Sequence, residues 1–295
     1  MTLICAIGLL GLVLLMVILI WQAAGPSIKA FGFSFFFTRE WDPVHGRFGA
    51  LPYIYGTLVS TLLALLLAGP VSLGAAVYVA EFAPRKIKNI LGFMIDLLAA
   101  VPGIIFGLWG NFVLSPWLAG SLEPRLEHYF GFLPLFRGPA TGVGMLAAGI
   151  ILAIMISPLI TAVSREVLEI VPASQREAMI ALGATPWEVV RRAVLPYART
   201  GIVGAFTLGL GRAIGETMAL TMVIGNRPQI SASLFAPAYT MTSVIVNEFT
   251  EAVEPLHLAA LIHIALVLFL VTLLVNTVAR LMIYLMNRRV KKWTV

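Results

Sequence analysis

This 295-residue sequence predicts an all-α polytopic membrane protein with six transmembrane helices. Three observations carry that prediction. Hydrophobic residues make up 60% of the chain and charged residues only 12%, where a soluble domain carries about 25% charged residues. The segments 1–28, 48–80, 97–122, 138–164 and 255–279 contain no Asp, Glu, Lys or Arg, and 200–226 holds only Arg212 and Glu216. Each is long enough to cross the hydrocarbon, which takes about 20 apolar residues. The long run 164–196, SREVLEIVPASQREAMIALGATPWEVVRRAVLP, is polar and arginine-rich by contrast.

The elements follow in order. The first span covers about 3–22. No basic residue precedes it and it exceeds a usual leader core, so it reads as a retained helix. SIKAFGFSFFFTREWDPVHGRFG follows, its aromatics suited to an interface and Arg39, Glu40 and Asp42 to water. The second span, 52–80, ends at EFAPRKIKN, with Pro84 as breaker and Glu81 offered to a partner. The third, 90–118, contains Pro102-Gly103, and the fourth, 140–162, contains Ser157-Pro158. Both prolines remove a backbone donor and should kink their helices. The fifth span is 199–226 and the sixth 256–286, with loops 119–137 and 227–255 long enough to carry structure. No internal repeat or low-complexity linker is present, so one integral domain, 1–295, is the simplest organisation.

Charge sets the expected orientation. With both termini cytoplasmic, thirteen of the twenty Lys and Arg fall inside and six outside, Arg212 being intramembrane. The positive-inside rule selects this arrangement. It also explains the net charge of +6 without nucleic acid, and makes the terminal NRRVKKW a juxtamembrane anchor first, with lipid or nucleic-acid binding as the weaker reading. Cys5 is alone, which excludes a disulfide framework.

The polar run specifies helix, bend, helix. Pro172 can start a helix, Ala173 to Leu182 are good helix formers, and Gly183 sits where a left-handed residue ends one. Thr185 as N-cap, Pro186 at the first position and Glu188 as the reciprocal cap restart it. Leu195-Pro196 should end the second helix. The small Ala178 and Gly183 permit close approach by a partner, and Arg176 and Glu177 offer charge-assisted contacts. A self-capped ordinary loop is the competing reading.

Arg212 and Glu216, four apart in the fifth span, are a second unusual feature. At mid-bilayer each costs about 2.5–3.5 kcal/mol even on the lenient scale, whereas an i,i+4 pair recovers only a few tenths of a kcal/mol. They must face protein or water. Thr217 adds a polar atom, and Gly209, Gly211 and Gly215 let a neighbouring helix approach. Either the pair clamps helices together, or Arg212 meets an anion on a route with Glu216 orienting it.

Two resemblances sharpen this reading. Glu177-Ala178-Met179, then Gly183, then Ala193-Val194-Leu195-Pro196 resembles the motif E-A-A-x3-G-x9-I-x-L-P of the membrane subunits of binding-protein-dependent importers. Met179 and Ala193 depart from it while the spacing holds. In that family the elbow docks on an ATPase. The runs FxxxFxxTREWDP, IYGTLVSTLLA, EFAPRK, LLAAVPGIIFGLWG and LGLGRAIGETMALTMVIGN are similar to the PstC-type permeases of the phosphate-specific system over nearly the whole chain. The resemblance implies a type I ABC importer permease fold, with a core at 52–286 after a first helix and external segment at 1–51, and a basic tail at 287–295. It implies inorganic phosphate as cargo, moved across the cytoplasmic membrane by alternating access. It also implies three kinds of partner: a PstA-type second permease, an ATPase homodimer carrying the ATP and Mg, and an external phosphate-binding protein. Arg176, Glu177, Ala178, Gly183, Thr185, Pro186, Leu195 and Pro196 become coupling residues, and Arg212, Glu216 and Thr217 substrate-pathway residues. Another oxyanion, sulfate or molybdate, the PstA-like role, or an ion-coupled transporter working alone are the alternatives.

Several chemistries are not encoded. The chain has no Gly-Lys dipeptide and hence no phosphate-binding loop of its own. His45, His128, His257 and His263 lack metal-site spacing and read as packing or interfacial histidines. Glu248, Glu251 and Glu254 read as a solvated acidic face, or as a dock for the binding protein.

Overall fold

A computed structural model describes residues 2–291, with side chains as far as Leu285. The side chains of the expected basic tail, 287–295, lie outside the described residues. The described chain is helical: α1 (Thr2–Phe31), α2 (Leu51–Val77), α3 (Arg85–Ala99), α4 (Gly103–Trp109), α5 (Ser115–Trp117), α6 (Glu123–Phe130), α7 (Met145–Glu169), α8 (Ala173–Ala181), α9 (Pro186–Val189), α10 (Leu195–Ile214), α11 (Met218–Val223), α12 (Met241–Glu248) and α13 (Pro255–Lys291). Among the described residues six helical stretches are long and apolar enough to cross a membrane: Thr2–Phe36, Leu51–Phe82, Gly103–Phe130, Met145–Glu169, Pro186–Ile214 and Pro255–Leu285.

The first runs past the expected 22 to Phe36, into the segment expected outside, and the fourth past 162 to Glu169; the third and fifth differ in how they are built. The third does not run over 90–118. Pro102 cannot donate a backbone hydrogen bond and disfavours helical geometry in the residue before it; α3 stops at Ala99 and a separate helical stretch begins at Gly103. The fifth starts earlier and stops sooner than 199–226. Leu195-Pro196 does not end the elbow's second helix. A π-turn over Val190–Val194, with the Leu195 N–H donating to Val190 O, widens the helix just ahead of Pro196 and carries it into α10. α10 then ends at Ile214 on the cap Gly215.

The residues fall into two compact units. The first comprises Met1–Val59, Gly110–Ala147 and Leu220–Leu273. Its core joins Phe35, Phe48, Tyr53, Tyr239, Met241, Val244, Leu261 and Ile264. After α1 the helix tightens to 3-10 geometry over Gly32–Phe36, with Gly32 at φ 51°, and the aromatics of this segment divide. Phe33 and Phe37 are exposed, as an interfacial role requires, but Phe35 and Phe48 are fully buried. Phe35 stacks on His263 at 4.0 Å between ring centres, and His263 Nδ1 lies 3.0 Å from Ser27 Oγ. His263 is thus a packing histidine.

The second unit comprises Ser60–Trp109, Ala148–Ala219 and Leu274–Val295. A cluster of Ala76, Val77, Leu168, Val171, Val189, Val190, Val194 and Ala198 lies beneath the elbow. Gly149 admits Leu63, Gly201 admits Val167 and Gly209 admits Ile160, so α2, α7 and α10 approach as closely as small residues allow. α3 is pinned along one narrow stripe: Lys88 Nζ to Glu169 Oε1 at 3.2 Å and Asp96 Oδ2 to Arg165 at 3.6 Å, with Gly92 against the Arg165 guanidinium.

Candidate functional site

The elbow forms as its local signals require. Pro172 stands at the N-cap of α8, one position before the helix. Gly183 takes φ +80°, and its N–H and that of Ala184 return to Ile180 O and Met179 O at 2.9 and 3.1 Å. Thr185 caps α9 reciprocally: its Oγ1 accepts from the Glu188 N–H, and Glu188 Oε2 accepts from the Thr185 N–H at 2.9 Å, with Pro186 at the first helical position. Glu177, Ala178, Ile180, Leu182, Gly183, Thr185 and Pro186 are all exposed, Leu182 to 83%. Met179 turns the other way and packs on the cluster below. The departure from alanine at that position therefore fills the elbow's underside and leaves its outer face unchanged.

Arg176 does not belong to the outer face. Its guanidinium forks onto Glu81, Nη2 to Oε1 at 2.6 Å and Nε to Oε2 at 3.1 Å, and also donates to Leu168 O at 2.9 Å and to Val171 O. The Glu81 carboxylate holds the guanidinium above its ordinary pKa. Both residues were expected to meet a partner; within this chain they meet each other, with side chains 24% and 10% exposed. One residue thus ties α8 to the ends of two long helices. Leu195 and Pro196 sit at the start of α10: Leu195 packs on the cluster, while Pro196 is exposed.

The charged pair is also rearranged. Glu216 lies past the end of α10, so it and Arg212 are not successive turns of one helix as the sequence suggests. Arg212 Nη1 donates to Ala99 O at the end of α3, at 3.1 Å. Glu216 Oε1 accepts from the Ala219 N–H at 3.1 Å, at the start of α11. Thr217 Oγ1 donates to Gly215 O at 3.3 Å within the same break.

Glu248 is not part of a solvated face. Its Oε2 accepts from Trp41 Nε1 at 2.8 Å and lies 3.1 Å from His257 Nε2, with the His257 ring stacked on Phe48. Glu248 was legible as one of an acidic group but not as a part-buried node, because Trp41 is 207 residues away.

The chain has known relatives. Residues 70–292 match the family model described as binding-protein-dependent transport system inner membrane component. The chain is 45% identical over 273 residues to the phosphate transport system permease protein PstC of Mesorhizobium japonicum, covering 91% of this chain and 82% of that one. It is 45% identical over 287 residues to PstC of Haemophilus influenzae, covering 95% and 91%. Among solved structures it resembles the MetNI methionine ABC transporter in inward-facing conformations, with TM-score 0.57 and 19% identity over 79% of this chain and 94% of that chain. The fold is that of type I ABC importer permeases. The chain therefore belongs to the family of binding-protein-dependent transport system inner membrane components, and within it to the PstC-type permeases.

Proposed function

We propose that this chain is the phosphate-translocating permease subunit of an ATP-driven importer in the cytoplasmic membrane. The observation that carries the mechanism is the elbow: an outer face of exposed Glu177, Ala178 and Gly183 on a short helix whose base is locked by the Arg176–Glu81 fork. A helix so anchored transmits force instead of absorbing it. Phosphate as cargo follows from the PstC relatives. In this reading the elbow and both termini are cytoplasmic, and the elbow docks on a dimeric ATPase that holds the nucleotide and Mg. A PstA-type permease completes the route, and an external binding protein delivers phosphate. Closure of the ATPase pushes α8 and α9, and with them the inner ends of α2, α7 and α10. The route opens outward, phosphate enters past Arg212, and hydrolysis resets the inward state. Purification with bound partners tests the assembly: an ATPase and a second permease should co-isolate, and vesicles holding the complex should accumulate phosphate only with ATP. Accumulation by this chain alone, without an ATPase, would sink the reading.

Gly183 gives a sharper test. A Cβ there would meet nothing within 4 Å and Gly183 is exposed, so the main cost expected of Gly183→Leu is the left-handed backbone, about 1–2 kcal/mol. The bend should re-form in another geometry while the subunit still inserts. ATP hydrolysis should continue with little uptake, whereas Gly183→Asn, which tolerates this conformation, should stay near wild type. Coupled transport by Gly183→Leu would argue against docking through the bend.

A further inference from the structure

Two helix breaks in the second unit are joined by the charged pair. One lies between Ala99 and Gly103, the other between Ile214 and Met218. Arg212 holds the carbonyl of Ala99, the last residue before the first break. Glu216 lies against Gly103, the first residue after it. A methyl group on Gly103 would fall 3.0 Å from both Glu216 Cδ and Oε2, and closer still to Oε1. Oε1 is the atom that accepts from the Ala219 N–H at the start of α11. One carboxylate thus meets the first turn of both helices that resume after a break.

The surroundings of Gly103 point to Glu216. The φ of Gly103 lies outside the left-handed region, and the three nearest atoms to its missing side chain all belong to Glu216. Alanine is the better helix former at such a position. A side chain at 103 would have to displace the Glu216 carboxylate, and that carboxylate is tethered by its bond from the Ala219 N–H.

We infer that Gly103 is the socket for Glu216, and that this joint keeps the two broken helices in register as they move during transport. Glu216 and Gly103 are then positioning residues, and they do not contact the cargo. The inference rests on the importer reading for its transport readout. It supplies a role for Glu216 that neither mutual pairing with Arg212 nor substrate contact provides.

A double-mutant cycle in the complete transporter tests it. Gly103→Ala should displace the carboxylate and lower the maximal rate of ATP-driven phosphate uptake about tenfold, and Glu216→Asp should do so by loss of reach. The half-saturating phosphate concentration should stay within about twofold, because the cargo contact is elsewhere. The shorter acid makes room for the added methyl, so Gly103→Ala/Glu216→Asp should recover to within about threefold of wild type. The thermal midpoint of the purified complex should fall in each single variant and return in the double, whatever the cargo. A wild-type rate in Gly103→Ala, or losses that multiply in the double variant, would overturn the joint. Rescue of the thermal midpoint in a complex that imports no phosphate would support the joint and overturn the function instead.

Discussion

Arg212→Gln is expected to remove phosphate uptake while the complex still assembles. The reasoning starts from cost. A guanidinium in a membrane-spanning helix is unfavourable by about 2.5–3.5 kcal/mol, and a single hydrogen bond to a charged group returns about 1.5–3 kcal/mol. The bond to Ala99 O therefore roughly offsets the burial and adds little net stability. Glutamine still donates to a carbonyl, so the end of α3 keeps a partner and packing should survive. What disappears is a positive charge with most of its five N–H donors directed elsewhere than Ala99. Losing one charge-assisted contact to an anion costs at least about 2 kcal/mol, or roughly thirtyfold in affinity. Transport should fall by that factor or more. Arg212→Lys keeps the charge without the fork and should fall between. Uptake in proteoliposomes, with size-exclusion chromatography for assembly, checks both. A complex that fails to assemble would favour a packing clamp over an anion-facing arginine.

What the sequence reveals here is what local chemistry decides. The elbow was legible because each of its signals acts within four residues: Gly183 for the left-handed turn, Thr185 and Glu188 for the reciprocal cap, Pro186 for the first helical position. The apolar runs were legible because a bilayer filters for length and hydropathy. The helix breaks were only half legible. Pro102 announced a disturbance, but whether a proline kinks or severs a helix depends on neighbours that re-bond the freed groups, and Arg212 does that here by holding Ala99 O. Pro196 shows the converse, since a π-turn absorbed a residue expected to end the helix. Partners distant in sequence were not legible at all. Glu81 and Arg176 are 95 residues apart, and nothing in either neighbourhood specifies the other. The same holds for Glu248, whose part-buried contact with Trp41, 207 residues away, replaced an expected solvated face.

Arg176→Ala should uncouple the transporter more severely than any change on the exposed face of α8. The side chain is bidentate to Glu81 and also satisfies Leu168 O and Val171 O. These two carbonyls lie at or just past the end of α7, where helical partners run out. Truncation leaves Glu81, whose side chain is 10% exposed, without its cation, and breaking a buried pair from one side costs roughly 3–5 kcal/mol. The partial exposure of Arg176 places the expected loss near the lower bound. Glu81→Ala should be milder, because the guanidinium keeps both carbonyls, and Glu81→Gln milder again, because an acceptor oxygen remains. Charge reversal at both positions should not restore function, since a glutamate at 176 cannot donate to Leu168 O. ATP hydrolysed per phosphate imported is the measurement, expected to rise in the order Glu81→Gln, Glu81→Ala, Arg176→Ala. If it stays constant across the series while the elbow remains intact, force enters by another contact and the fork is only a local brace.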